Sequence, residues 1–199
     1  AGVANDVTAA AGRLVIDSAP GVGAASAIET TVASLDIDNT TSGIIQISET
    51  DAVNLFQVLQ REDDSITIAA GGAVEVLAAG TAVLIDDTSA GGANADISIT
   101  AGGTLTVNDI VKNDSANADA DIVLDANGDA SDVAVNAAVS TAAGDVTVTA
   151  DNGVTFAAAG SITATGAGNV VVTADTDADD LGAGRVINMA DGSTIDAGS

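Results

Sequence analysis

The stretch that decides the fold is Asp121-Ile-Val-Leu-Asp-Ala-Asn127, which returns as Asp145-Val-Thr-Val-Thr-Ala-Asp151 and again as Asn169-Val-Val-Val-Thr-Ala-Asp175. Each copy begins 24 residues after the last, and Asp96-Ile-Ser-Ile-Thr-Ala101 begins 25 residues before Asp121. A fixed period of this length is typical of a repeat architecture, in which each repeat buries its apolar side chains against its neighbours. On the same pattern, the series is predicted to extend back to Val74–Ala78 and forward to Thr194–Ala197.

Apolar residues alternate within each copy, which predicts strands. In one copy Val146, Val148 and Ala150 fall on one side, whereas Thr147 and Thr149 fall on the other. A period of two places the first set towards a core and the second towards solvent.

Turn-forming segments divide each repeat into three parts. Residues 151–153 and 158–160 flank short apolar runs at Val154–Phe156 and Ile162–Ala164. Three strands then make one coil of about 24 residues, so the chain is predicted to be an all-β parallel β-solenoid, or β-helix, of roughly eight coils. At about 4.8 Å per coil the rod would be about 40 Å long.

The coils are expected to form one domain over residues 1–199, with 1–90 less regular and 91–199 regular. The one helix candidate is Asp51–Glu62, where Val53, Phe56 and Leu59 are spaced by three. Strand patterns on both sides favour an extended or bulged coil there instead. Because the chain starts with Ala rather than Met, we expect a fragment or processed piece of a longer repeat protein.

Composition excludes several classes of function. The 199 residues carry 4 Lys and Arg against 29 Asp and Glu, a net charge of −25, with no His and no Cys. Disulfides and imidazole chemistry are therefore excluded, and so few cations cannot neutralise a nucleic-acid backbone. Neither a long apolar run nor a basic start followed by an apolar stretch is present, so we expect no membrane insertion and no signal peptide.

A calcium site is suggested by Asp175-Thr-Asp-Ala-Asp179, which places Asp175, Asp177 and Asp179 at positions 1, 3 and 5 of a calcium-loop pattern. The match is partial, because Asp180 stands where the loop needs Gly and Val186 where it needs Glu. A solvated acidic corner is the alternative interpretation. No cofactor other than this Ca²⁺ is predicted.

Acidic and amide side chains also recur in two columns at the 24-residue step. One column contains Asn127, Asp151 and Asp175, and the other contains Asp121, Asp145 and Asn169. Two carboxylates about 4.8 Å apart repel by roughly 1 kcal/mol in water. Capping of backbone amides by these side chains is the favoured explanation, and cations bound along the columns are the alternative.

Several segments resemble a known group of repeats. They are Ala27–Leu35, Asn39–Gly43, Ile47–Val53, Val172–Asp179 and Ile187–Gly198, which together are similar to the repeats of filamentous-haemagglutinin-like giant surface proteins of bacteria. The resemblance implies a right-handed β-helix that extends an adhesin or exoprotein from the cell. It specifies an architecture rather than a binding site.

These observations predict a non-catalytic stalk or spacer of an exported bacterial surface adhesin or exoprotein, located extracellularly at the cell surface. The alternative is a filament or surface-layer subunit that stacks end to end, because uncovered strand edges invite another copy. Expected partners are neighbouring repeats, copies of itself through the solenoid ends, and an unidentified cell-surface or matrix receptor. A polysaccharide-active enzyme is disfavoured, since nothing singles out one acid pair and Phe56 and Phe156 are the only aromatic residues. An ice-binding threonine array is disfavoured as well, because Val171 interrupts the column of Thr147.

Overall fold

The computed structural model describes residues 5–78, 83–87, 95–176 and 185–198, and within these ranges it contains strands and no helix. The strands in chain order are β1 (Val7–Ser18), β2 (Ile28–Asn39), β3 (Ile45–Glu49), β4 (Val53–Gln60), β5 (Ile66–Ala70), β6 (Val74–Val76), β7 (Val83–Ile85), β8 (Ile97–Ala101), β9 (Leu105–Val107), β10 (Val111–Asn113), β11 (Ile122–Ala126), β12 (Val133–Val135), β13 (Ala138–Thr141), β14 (Val146–Ala150), β15 (Val154–Phe156), β16 (Ser161–Ala164), β17 (Val170–Ala174), β18 (Ile187–Met189) and β19 (Thr194–Asp196). No helix among the described residues has the length and hydropathy to cross a bilayer.

The strands pair in parallel into a β-solenoid of about seven turns, with about 24 residues per turn. The predicted fold class is confirmed, and the count of about seven turns is close to the roughly eight coils that were predicted. At roughly 4.8 Å per turn the stack is about 34 Å long.

Each turn contributes one strand to each of three stacks. Stack A contains β3, β5, β8, β11, β14 and β17, stack B contains β6, β9, β12, β15 and β18, and stack C contains β7, β10, β13, β16 and β19. The long strands β1, β2 and β4 run through more than one stack; β4, for example, pairs with β6 in stack B and with β7 in stack C. The expected strands at 154–156 and 162–164 are confirmed as β15 and β16.

The core lies between the stacks, and like side chains lie over like. Ile97 pairs with Ile122, Ile122 with Val146, and Val146 with Val170. The first three side chains are fully buried. Burying an isoleucine or valine in this way stabilises the fold by about 1.5–3 kcal/mol per side chain. The inward alternation predicted for these strands is therefore confirmed.

Small residues fill the core where stack A meets the next corner. Ala101, Ala126 and Ala150 are in register and fully buried, as predicted for a narrowing interior. Beyond them the backbones of successive turns are very close. A Cβ on Gly102 would lie 2.5 Å from the carbonyl oxygen of Gly71, and one on Gly128 would lie 2.1 Å from that of Gly102. These positions therefore require glycine because of the close approach of two main chains.

Two register predictions were wrong. Val74 does not precede Ile97 in stack A, because Ile66 pairs with Ile97 and Val74 pairs with Leu105 in stack B. Thr194 does not continue the series of Asn169 either, since it pairs with Ser161 in stack C. In both cases a short apolar-polar-apolar run, common to all three stacks, was assigned to the wrong one.

The segment Asp51–Glu62 is extended, as favoured over a helix, and it contains a bulge. The register shifts where Leu35 and Asp36 of β2 face Leu55 and Gln57 of β4, so Phe56 is an extra residue on β4. A bulge bends a strand and re-aims its side chains. This bend explains how β4 continues from stack B into stack C without a turn that contains glycine. Phe156, by contrast, is in the core with 3% of its surface exposed.

Candidate functional site

One predicted column of acidic and amide side chains forms a continuous ladder on the corner that precedes stack A. We call Ser65, Asp96, Asp121, Asp145 and Asn169 the Asx ladder. The Oδ1 atom of Asp96 accepts the backbone N–H of Asp121 at 3.0 Å, and Oδ1 of Asp121 accepts that of Asp145 at 2.8 Å. Oδ1 of Asp145 accepts the N–H of Asn169 at 2.7 Å, and the hydroxyl of Ser65 accepts that of Asp96 at 3.1 Å. The predicted capping of backbone amides is confirmed for this column.

The ladder has an electrostatic cost at Asp96. Burial raises the pKa of Asp96 above its ordinary value, the hydrogen bond from the N–H of Asp121 lowers it, and the negative charges of Asp121 and Asp119 raise it further. Desolvation and like charge both disfavour an ionised carboxylate. The ladder therefore orders the backbone at this corner while concentrating negative charge there.

The second predicted column does not repeat this arrangement. Oδ1 of Asp151 accepts a hydrogen bond from the hydroxyl of Thr176, whereas Asp175 adopts a left-handed backbone with φ of 61°. The backbone N–H of Asp175 donates to the carbonyl oxygen of Asn152 at 3.0 Å. Asp175 and Asn152 each carry a buried Oδ1 atom that has no hydrogen-bond partner. Asn127 and Asp151 donate their backbone N–H groups to the carbonyl oxygens of Ala101 and Ala126, but Thr176 rather than Asp175 makes the equivalent bond to Ala150. Asp175 therefore departs from the predicted column.

The predicted calcium segment Asp175–Asp179 is described only at Asp175 and Thr176. Asp177 and Asp179 lie outside the described residues, so the geometry of Asp175, Asp177 and Asp179 as a set stays a prediction. Within the described ranges, no three acidic side chains converge closely enough to hold a metal ion.

A set of buried polar residues that the sequence reasoning missed lines the inner side of the corner after stack C. Its members are Asn39, Gln60, Asn113 and Thr141, each 2% exposed or less. Asn39 donates from Nδ2 to Oε1 of Gln60 at 2.6 Å and to the carbonyl oxygen of Gly43 at 2.7 Å, and its Oδ1 accepts the N–H of Gly21 at 3.0 Å. Thr141 donates to the carbonyl oxygen of Ala120 at 2.9 Å and accepts the N–H of Gly144 at 3.2 Å. These side chains satisfy main-chain groups of the corner that would otherwise be buried without partners.

Glu49 is a further buried polar residue without a sequence-based prediction. It is 3% exposed, and its Oε2 atom accepts the Thr30 hydroxyl at 2.6 Å and the Val32 N–H at 3.1 Å. Glu49 follows Ile45 and Ile47 in the inward phase of β3, as Asn39 follows Leu35 and Ile37 in β2. The signal that would have found both is a polar residue in the inward phase at the end of a strand.

The outward side of stack A is not a regular threonine array. Thr147 lies between Val123 and Val171 in the register, and the hydroxyl of Thr149 donates to Asp125. The interruption seen in the sequence is therefore present in the structure.

Basic side chains are paired with acids at the surface. Arg61 makes a two-point contact with Asp38, at 2.9 and 2.7 Å, and Lys112 lies 2.7 Å from Asp114. Lys112 and Asp114 line an open groove of about 240 Å³ together with Ser140, Thr141 and Thr165. Exposed pairs of this kind contribute at most about 1 kcal/mol each.

At the two ends of the stack, apolar side chains of the core columns are exposed or half-buried, because no further turn covers them. Ile187, Met189 and Ile195 of the last turn are 45%, 42% and 38% exposed, although their partners Val154, Phe156 and Ile162 are buried. At the other end Val7, Leu14 and Ile16 of β1 are half-buried. Among the described strands, β1 pairs with β2 alone, and β17, β18 and β19 pair on one side. Both ends therefore carry strand edges together with apolar side chains.

Comparison with known proteins returned no matching family profile, no matching curated protein and no matching solved structure.

Proposed function

We propose that the chain is a non-catalytic structural stalk or spacer segment of an exported bacterial surface adhesin or exoprotein, similar to filamentous-haemagglutinin-like repeats. The observation that carries the proposal is the unbroken parallel pairing of all three stacks over about seven turns. Each turn is bound to the next by three strand pairs and by one continuous core, so the stack resists bending as a unit. The resemblance of the repeats supports the placement at a bacterial surface.

Charge supports the same role. The net charge of −25 makes parallel copies repel one another in solution, and it opposes adhesion between neighbouring stalks. The absence of cysteine means that the fold owes nothing to disulfides. Its stability rests on stacked aliphatic side chains and on capped corners.

Small-angle scattering combined with light scattering tests the spacer role. We expect a monodisperse 19.0 kDa particle with the profile of a short rod at high protein concentration. Antibodies raised against the chain should label intact source cells as strongly as permeabilised ones. Labelling that requires permeabilisation would overturn the surface location, and a flexible-chain scattering profile would overturn the spacer.

A filament or surface-layer subunit is the second candidate, and the register of the two ends favours it. Leu14 belongs to the same core column as Met189, because successive strand pairs lead from Leu14 through Leu35 and Phe156 to Met189. Ile16 and Ile195 are likewise ends of one column. A second copy whose β1 pairs with the last turn would therefore place leucine over methionine and isoleucine over isoleucine in parallel strands.

Electron microscopy at rising salt distinguishes the two candidates, because salt screens the repulsion between acidic copies. The filament predicts long fibres of uniform width, and Met189→Asp with Ile195→Asp should abolish them. Thr155→Asp is the matched control, since Thr155 is outward and exposed on the preceding turn. Particles that remain single at high salt and high concentration would remove the filament and leave the stalk.

A further inference from the structure

We propose that Asn152 and Asp175 form a binding site for Ca²⁺ at the corner between stacks A and B, on the last two turns. This site goes beyond the structural role proposed above. It is argued from two buried oxygen atoms that have no partner.

The first oxygen belongs to Asn152. Asn152 is 8% exposed, and its Nδ2 donates to Oδ1 of Asp132, on the preceding turn, at 2.7 Å. Because the same Asp132 oxygen also accepts the N–H of Gly153 at 3.0 Å, it acts as an acceptor, and this fixes the orientation of the Asn152 amide. Oδ1 of Asn152 is therefore turned away from Asp132, and it is buried without a hydrogen-bond donor.

The second oxygen belongs to Asp175, whose main chain is hydrogen-bonded to that of Asn152. The N–H of Asp175 donates to the carbonyl oxygen of Asn152 at 3.0 Å, so the two residues are neighbours on successive turns. Oδ1 of Asp175 is also buried and unpartnered. Buried polar atoms are nearly always hydrogen-bonded, and an ionised carboxylate oxygen is the most costly atom to leave unpaired. Two such oxygen atoms, on residues that are joined by a main-chain hydrogen bond, are suitable ligands for a cation.

The chemistry of the corner selects a hard divalent ion. Its described residues include the carboxylates of Asp132, Asp151 and Asp175 and one basic residue, Arg185. Carboxylate and amide oxygens are the ligands that Ca²⁺ accepts, in an irregular shell that water completes, whereas Mg²⁺ demands near-octahedral geometry. Since no three acids converge within the described residues, the site would be weak. Its dissociation constant would resemble the roughly 10⁻⁴–10⁻³ M of extracellular calcium modules.

Calorimetric titration and thermal melting with CaCl₂ test the proposal, with MgCl₂ and NaCl at matched ionic strength as reference salts. If the dissociation constant is about 1 mM, then 10 mM Ca²⁺ multiplies the folding equilibrium constant about elevenfold. Asp175→Asn removes one charge from the site and should abolish the specific response. Asp145→Asn is the matched control, because it removes one charge from the preceding turn and keeps the oxygen that caps Asn169.

Each outcome of the titration either supports the Ca²⁺ site or overturns it. Saturable binding of one Ca²⁺ by the natural chain and by Asp145→Asn, and its loss in Asp175→Asn, supports the site. Equal responses in all three proteins, or a response that never saturates, would reduce it to general screening of acidic charge and overturn the proposal. If Asp175→Asn fails to fold, Asp175→Gly takes its place, since glycine suits a φ of 61°. This variant should melt higher than the natural chain without Ca²⁺ and show no Ca²⁺ shift, whereas a retained shift would overturn the proposal.

Discussion

Replacing Asp121 by alanine and, separately, by asparagine isolates what the Asx ladder contributes. The carboxylate of Asp121 accepts the N–H of Asp145 at 2.8 Å, and the N–H of Asp121 donates to Asp96 at 3.0 Å. Asp121→Ala removes the acceptor and leaves the N–H of Asp145 without its partner. Asp121→Asn keeps an acceptor oxygen and removes one charge from a row of three.

The two substitutions should affect stability differently, because only the alanine variant is expected to be less stable than the natural chain. A hydrogen bond to a charged group contributes about 1.5–3 kcal/mol. Because Asp121 is half-buried and water can replace part of this bond, we expect Asp121→Ala to lower the free energy of unfolding by about 1–2 kcal/mol. Relief of repulsion from Asp96 and Asp145 is worth up to about 1 kcal/mol for each of the two pairs, for charges near 4 Å in water. Asp121→Asn should therefore equal or exceed the natural chain in stability.

Urea unfolding followed by far-ultraviolet circular dichroism suits a chain without Trp or Tyr. The transition midpoints should rank asparagine at or above aspartate, and aspartate above alanine. Raising the salt concentration should shrink the gain of Asp121→Asn and leave the loss of Asp121→Ala nearly unchanged, since salt screens charge repulsion. An alanine variant as stable as the asparagine variant would show that these side chains do not hold the corner.

Two further predictions concern pH and the core. The pKa of Asp96 is raised in the folded state, mainly by burial, so ionised Asp96 opposes folding at neutral pH, and this penalty disappears as the pH falls through the raised value towards the ordinary 3.8. Asp96→Asn should accordingly melt above the natural chain at neutral pH, with the difference closing in acid; a difference that does not depend on pH would contradict this assignment. In the core, Ile99→Ala should lower the free energy of unfolding by about 2–5 kcal/mol, because Ile99 is 0% exposed. Its outward neighbour, Thr100→Ala, should stay within about 0.5 kcal/mol in the same urea titration, and similar losses in both variants would mean that the inward and outward assignments are mistaken.

The regular part of the fold could be predicted because its period appears directly in the residues. Asp121, Asp145 and Asn169 mark the start of three stack A strands, and the alternation of valine with threonine orients each strand. The Val74 and Thr194 segments were misplaced because the three-residue apolar-polar-apolar run of stacks B and C also occurs within the five-residue strands of stack A. The spacing along the chain does not separate them, because the lengths of the connections vary.

The functional residues were predictable to a smaller extent. Amide capping followed from the recurrence of Asx residues before a strand, and the structure confirms it. The inner corner residues Asn39 and Gln60 were missed because their partners are main-chain groups of other turns, 18 and 17 residues away for Gly21 and Gly43. Asn152 was missed for a different reason. Its Oδ1 atom is notable because it is buried without a hydrogen-bond partner, and a sequence does not show which buried atoms are paired.

The number of residues between equivalent strands varies along the chain, whereas the pairing of those strands does not. Ser65 and Asp96 are 31 residues apart, whereas Asp121 and Asp145 are 24 apart, yet both pairs occupy equivalent places in the Asx ladder. The strands β5 and β8 pair over five residues without a slip despite the longer connection between them. Connections of different lengths are therefore compatible with the same strand register. The same property makes the corners suitable for grafting foreign peptides, such as epitopes, at defined heights along a rigid scaffold.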